Sequence, residues 1–421
     1  MFFHFVKDGD YIYKLSKQYN ISEEKIINDN SLIDPKNLVI NQCLLIDNDK
    51  EQYIVKSGDT LSSIASKFNL SIKELKRRNT FIEGDKIYQG QILDLKNREK
   101  EQKVFNGYCY ETSSLERIKK ALPYLTYLSI FSYRCKEDGS IDSIQDERIL
   151  DICLESDVKP IMVIANSKLK GGFSPSLANK ILTSDEIRDR LFINIERILR
   201  NKKYYGLNID FEYVNQDDRI AFIDFVKKAN RFFKSRGYYL SISLAPKTSD
   251  NQKGLLYTAH DYEELGKYVD HVILMTYEWG YTFGPSMPVA PYNEVKKVIE
   301  YATKKIDRNK IIMGIPNYGY DFIIPYKEKQ KAQSITNPQA IPLAFNNHAA
   351  IKRYKEAKTP YFRYTKNDVN HEVQFDDPCS IEEKLSIIDE FNIAGGSIWT
   401  ISSYTAYYYL LMDYCFQIDK K

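Results

Sequence analysis

Tyr205-Gly206-Leu207-Asn208-Ile209-Asp210-Phe211-Glu212 changes side-chain character residue by residue. A β-strand turns that period of two into two faces. Leu207, Ile209 and Phe211 make an apolar face, while Asn208, Asp210 and Glu212 set an amide and two carboxyls on the other. Two carboxylates spaced in this way repel, so one tends to keep its proton near neutral pH. A glutamic acid held in that state is a general acid, able to protonate a leaving oxygen. A solvated edge strand can also be acidic, but the apolar run here reads as a buried parallel strand.

Short apolar, β-rich runs of the same kind recur along the chain. They fall at 104–109, 126–132, 160–165, 205–211, 239–245, 270–277, 310–316 and 394–400. Amphipathic helical stretches separate most of them. The clearest is 218–236, where Ile220, Ile223, Phe225, Val226, Ala229 and Phe233 share a face and Gly237 takes the C-cap position. Eight such signals predict an α/β fold, a (β/α)8 TIM barrel rather than an open sheet. Active sites of these barrels lie at the C-terminal strand ends, where the fourth run puts Asp210 and Glu212.

The octet resembles the glycoside hydrolase family 18 (chitinase-like) signature, D-G-x-D-x-D-x-E. Gly206, Asp210 and Glu212 match it, and Tyr205 and Asn208 replace its first two aspartates. Met275-Thr276-Tyr277-Glu278-Trp279-Gly280 resembles the family's Met-x-Tyr-Asp, with Glu278 in place of Asp. Tyr318 follows the seventh run, and Trp399 closes the eighth, where the family has a Trp that floors the sugar subsite. The resemblance covers essentially 104–416. It implies catalytic Glu212, Asp210 and Tyr277, with Asn208, Met275, Glu278, Trp279, Tyr318 and Trp399 binding substrate.

A conventional retaining glycosidase needs a second carboxylate roughly 5 Å from the acid as nucleophile. Asp210 shares a strand face with Glu212 and is badly placed to attack. The resemblance implies that the substrate's own 2-acetamido oxygen attacks instead, forming an oxazolinium ion. Glu212 would protonate the departing oxygen and then activate water. Asp210 would bind the acetamido N–H, Tyr277 its carbonyl oxygen, and Asn208 would hydrogen-bond Asp210 without sharing its proton. The sugar on the non-reducing side must then carry an intact N-acetyl group. N-acetylglucosamine qualifies, and a muramic δ-lactam does not.

An internal repeat organises the first hundred residues. Residues 4–46 and 53–95 align without a gap, so that His4-Phe5-Val6-Lys7-Asp8-Gly9-Asp10 sits over Tyr53-Ile54-Val55-Lys56-Ser57-Gly58-Asp59. Each copy reads strand, Gly-Asp turn, two helices, strand. Leu61, Ile64, Ala65 and Phe68 have helical spacing, and Ser71 with Glu74 forms a capping box. This βααβ order resembles the LysM module, a binder of N-acetylglucosamine-containing glycans. The resemblance implies glycan contacts from Gly58, Asp59, Thr60 and Leu61, and from Gly9 and Asp10 in the more degenerate first copy. A pair of structural spacers would have the same pattern. The expected domains are 2–47 and 51–96 for the modules, a charged linker at 97–103, and a barrel over 104–421.

Composition excludes several classes. Sixty basic against 57 acidic residues leave a net charge of +3, without a nucleic-acid footprint. The first residues show no basic stretch, apolar segment and cleavage site in series, so synthesis in the cytoplasm without a classical export signal is expected. No apolar run reaches the length of a membrane span. The six cysteines and five histidines show no metal-ligand spacing and no disulfide framework, so neither a metal nor another cofactor is expected. The whole arrangement resembles the spore cortex-lytic and cortical-fragment-lytic enzymes of endospore-forming bacteria. That implies an N-acetylglucosaminidase acting on cortex peptidoglycan during germination, lodged in the spore coat or cortex, with coat proteins as candidate partners. A chitinase acting on chitin oligomers, or a catalytically silent chitinase-like glycan-binding protein, fits the same residues.

Overall fold

The computed structural model describes residues 1–47, 52–68, 70–79, 81–95, 100–169 and 171–420. Its centre is a closed parallel barrel of β1 (Gln102–Tyr110), β2 (Tyr127–Arg134), β3 (Lys159–Ala165), β4 (Gly206–Asp210), β5 (Tyr239–Leu244), β6 (His271–Leu274), β7 (Ile311–Pro316) and β8 (Gly395–Trp399). Each strand pairs with the next, and β8 returns to β1 from Gly395↔Val104 to Ile398↔Gly107. All eight expected runs are strands. The sixth stops short, at Leu274 rather than 277. There Thr276 N–H turns back to Leu274 O (2.8 Å) and Tyr277 N–H to Met275 O (2.8 Å), which takes the chain off the ladder.

The two faces of β4 part as its alternation requires. Leu207, Ile209 and Phe211 are buried outward, and Phe211 stacks on Phe225 of the helix Arg219–Lys234 (5.6 Å between ring centres). That helix presents Phe222, Phe225, Val226, Ala229 and Phe233 to the sheet. Ile220, expected on this face, is 72% exposed. At 3.6 residues per turn it falls off the stripe that Phe222 occupies. Gly206 is required where it stands, because a Cβ there would meet Tyr239 O at 2.3 Å.

Between β7 and β8 the simple alternation fails. The chain adds a five-stranded antiparallel sheet with spatial order Gln333–Ile335, Gly319–Ile324, Val369–Gln374, Pro360–Lys366, Lys352–Arg353. Its central hairpin turns through Asn367 (φ 51°) and Asp368 (φ 61°), the left-handed pair a two-residue hairpin loop needs. This insertion's strand Gly319–Ile324 brings Tyr320 O–H to Glu278 Oε1 (3.1 Å) beside the barrel mouth.

Both repeats fold as βααβ units. Phe2–Phe5 pairs with Cys43–Ile46 around helices Ile12–Tyr19 and Glu23–Asp29. Gln52–Ile54 pairs with Ile92–Asp94 around helices Leu61–Lys67 and Ile72–Arg78. The Ser71–Glu74 capping box is present, whereas Phe68 caps its helix instead of lying within it. Part of the charged stretch expected as a linker, 97–99, lies outside the described residues, and Gln102 and Lys103 already belong to β1. The six cysteines are unpaired and, Cys379 aside, buried. Among the described residues, no helix is long and apolar enough to cross a membrane.

Candidate active site

The barrel interior mixes apolar side chains such as Ile161, Val163, Ile273 and Ile312 with polar ones that hydrogen-bond one another. Asn208 Oδ1 accepts from Tyr108 O–H (3.2 Å) and Ser243 Oγ–H (3.1 Å), and its Nδ2 donates to Ser241 Oγ (3.0 Å). Asn208 is therefore occupied by its strand neighbours and makes no hydrogen bond to Asp210, contrary to the expectation from sequence. One level higher, Asp210 is almost fully buried, and its Oδ1 has no hydrogen-bond partner among the described residues. An unpaired buried carboxylate oxygen costs free energy unless something fills it.

Glu212 lies past the end of the sheet, since the ladder stops at Ala165↔Asp210. Side chains take over from the ladder there. Buried Asn166, directly after β3, accepts Glu212 N–H (3.0 Å) and donates to Glu212 O (2.8 Å). His260 Nδ1 accepts Ala245 N–H (2.8 Å), which puts the ring proton on Nε2 and lets it donate to Phe211 O (3.1 Å). Both peptide groups flanking the acid are thus clamped. Tyr213 (φ 54°) and Glu278 (φ 67°) both adopt the left-handed conformation beside the acid, a strained geometry that surrounding contacts must hold.

Burial pushes the His260 ring down to about 4, so the folded protein keeps it neutral. The unfolded ring takes up its proton near pH 6.5, well before the folded one. Stability from this site is therefore complete above pH 6.5 and falls as the pH drops toward 4. The variant His260→Gln, which cannot charge, is expected to gain in melting temperature relative to wild type between pH 7 and pH 4.5. A difference independent of pH would refute this account of the clamp.

Asp210 and Glu212 lie with Tyr108, Ser243, Pro246, Leu256, Met275, Tyr277, Glu278, Tyr318 and Trp399 around a pocket of about 180 Å³. Burial raises the Asp210 carboxyl to about 7. Glu212 is raised well above the ordinary range, by burial first and then by the charges of Asp210 and Glu278. Repulsion between the two carboxyls, the cause expected from sequence, is thus second to desolvation. Burial likewise raises Glu278, which accepts from the hydroxyls of Tyr318 and Tyr320. Trp399 is ringed by Tyr108, Phe131 and Tyr277, the last nearly parallel at 6.4 Å.

Not every expected residue reaches the pocket. Trp279 packs against the outer core, and its backbone N–H donates to Val289 O (3.1 Å). Tyr205 sits at the opposite, N-terminal mouth of the barrel, against Tyr127 and Tyr239. Its departure from the family signature therefore does not touch the site. In the repeats, Asp10 and Asp59 accept the N–H three residues back (Lys7, 2.9 Å; Lys56, 2.7 Å), Thr60 caps a helix, and Leu61 is core. Tyr108, Ser243, Asn166 and His260 were missed. Ser241 and Ser243 do alternate with Leu240, Ile242 and Leu244, a legible signal of inward polar side chains.

Comparison with known proteins agrees with this geometry. The model for glycosyl hydrolases family 18 matches residues 102–403, and that for the LysM domain matches 4–47 and 53–96. A cortical fragment-lytic enzyme of Bacillus anthracis is 39% identical over 430 residues, covering 99% of this chain and 98% of that enzyme. The crystal structure of the spore cortex-lytic enzyme SleL of Bacillus cereus superposes with a TM-score of 0.87 at 32% identity, covering 100% and 99% of the two chains. A chitinase of Chromobacterium violaceum shares the fold, with a TM-score of 0.69 at 18% identity, over 74% of this chain and 98% of that one.

Proposed function

The chain belongs to glycosyl hydrolases family 18, with two LysM domains ahead of its barrel, and on that premise we propose that it cleaves spore cortex peptidoglycan after N-acetylglucosamine. The observation that carries the mechanism is Glu212, its carboxyl raised by burial, lining one pocket with an Asp210 whose Oδ1 has no hydrogen-bond partner among the described residues. The substrate's acetamido N–H supplies that partner. Tyr277, whose hydroxyl burial and nearby charges keep protonated, donates to the acetamido carbonyl oxygen. That oxygen attacks the anomeric carbon as Glu212 hands its proton to the leaving oxygen, and an oxazolinium ion results. Asp210 offsets its positive charge. Glu212, now ionised, takes a proton from the water that reopens the ring, so the anomeric configuration is retained. Trp399 supplies the flat floor under the sugar, and Met275, Glu278 and Tyr318 line its sides.

The substrate choice rests on full-length relatives named cortical fragment-lytic enzymes and on the mechanism's need for a free N-acetyl group. The residence we propose is the coat or cortex of an endospore, with coat proteins as neighbours. Gly58, Asp59, Thr60 and Leu61, and Gly9 and Asp10, form the turn and helix start after the first strand of their LysM repeats. Digestion of purified cortex with mass spectrometry of the released muropeptides tests the reading. New reducing ends should be N-acetylglucosamine. Ends on muramic acid, or turnover of chitin oligomers with no release from cortex, would sink it.

A further inference from the structure

The two repeats share a backbone but meet different surroundings. After the second helix of each, the loop closes through the same bond: Val39 N–H to Gln42 Oε1 (3.1 Å) and Tyr88 N–H to Gln91 Oε1 (2.9 Å). Both loops also return to their first strand alike, Asn41 N–H to Val6 O (2.8 Å) and Gly90 N–H to Val55 O (2.8 Å). In the first repeat the barrel's insertion packs against this loop at Val39 and Asn41, while Ile33 and Ile40 stay exposed. Val39 is only 5% exposed, packed in a cluster with Ile335, Ala344 and Phe362. Asn41 Nδ2 donates to Ile351 O (3.1 Å), and Ser31 Oγ accepts Ala406 N–H (2.8 Å).

In the second repeat the position of Val39 is Tyr88, 68% exposed, and that of Leu32 is Phe81, 44% exposed. A Cβ added at Gly84 or Gly90 would meet nothing within 4 Å. This repeat is fixed to the barrel elsewhere, through Arg77 to Asp389 (3.4 Å) and Tyr414 O–H to Leu95 O (3.1 Å). The loop that one copy spends on docking is therefore free in the other, and carries two aromatic rings in solvent. Two exposed rings on one loop, at positions whose first-repeat counterparts are Leu32 and the buried Val39, form a stacking surface that the first repeat's loop lacks.

We infer that glycan retention belongs to the second repeat alone, with Phe81 and Tyr88 as stacking platforms for an N-acetylglucosamine-containing strand, while the first repeat is a docking plate. The inference rests on the reading of the enzyme as a peptidoglycan hydrolase. Co-sedimentation of the full chain with purified cortex peptidoglycan tests it, alongside turnover of soluble chitin oligomers. The double variant Phe81→Ala/Tyr88→Ala is expected to bind cortex roughly tenfold more weakly, the loss of two modest stacking contacts. Its turnover of soluble oligomers should be unchanged. Tyr11→Ala/Tyr13→Ala, which removes the exposed tyrosines of the first repeat, should leave both unchanged. Full binding by the first variant, weakened binding by the second, or no sedimentation of wild type would overturn the inference. Failure to cleave any glycan, with the binding pattern intact, would instead count against the catalytic reading alone. All four side chains are exposed, and circular dichroism is the check that each variant is folded.

Discussion

Glu212→Gln is expected to lower kcat on cortex glycan roughly 10³- to 10⁴-fold, the upper part of the range for loss of a general acid, and to leave binding intact. Glutamine has the shape of the protonated acid that the buried site already favours, and the clamp from Asn166 and His260 acts on backbone atoms it does not alter. An independent readout separates lost chemistry from lost structure. The wild-type carboxyl ionises near 4.3 when unfolded but stays protonated in the folded site to a much higher pH. The folded state then holds more protons, so wild-type stability falls as the pH rises through that window. The variant has no such penalty. Its melting temperature should rise relative to wild type between pH 4.5 and pH 8, even as activity disappears. Activity within tenfold of wild type would remove Glu212 from the role of acid.

Legibility from sequence followed the period of the pattern. Where side chains alternate on a strand, as in β4 and β5, composition and position together reveal which residues face the barrel axis. The eight strands were legible for that reason, and so was the meeting of Asp210 with Glu212. Features held by contacts between distant elements were not. His260 reaches Phe211 from a loop 49 residues away, and nothing in its neighbours marks it. Trp279 failed for the opposite reason. Its motif was recognisable, but the turns at Thr276 and Tyr277 take the chain off the ladder after β6, and its half-buried ring packs against the outer core. The insertion sheet was signalled only by the long gap between the seventh and eighth runs and by Asn367-Asp368. The repeats show the same limit. Offset alignment made Val39 and Tyr88 equivalent, but only the barrel's surface decides that one is buried and the other free.

Asp210→Asn is expected to lower kcat by roughly 10² to 10³, the cost of removing one group that stabilises charge formed in the transition state. Amide for carboxylate removes the negative charge that offsets the oxazolinium ion, while preserving shape. The pH profile discriminates this from simple disturbance of the site. In the wild type, activity needs Asp210 ionised, which sets a rising limb near pH 7, and Glu212 protonated, which sets a falling limb. The two limbs belong to the pair rather than to either residue alone. With asparagine the rising limb vanishes. The falling limb should move to lower pH, because the Asp210 charge that helps raise the Glu212 carboxyl is gone. A variant that is slow but keeps the wild-type bell would show that Asp210 acts through packing. A variant whose falling limb moves upward would show that its charge does not reach Glu212.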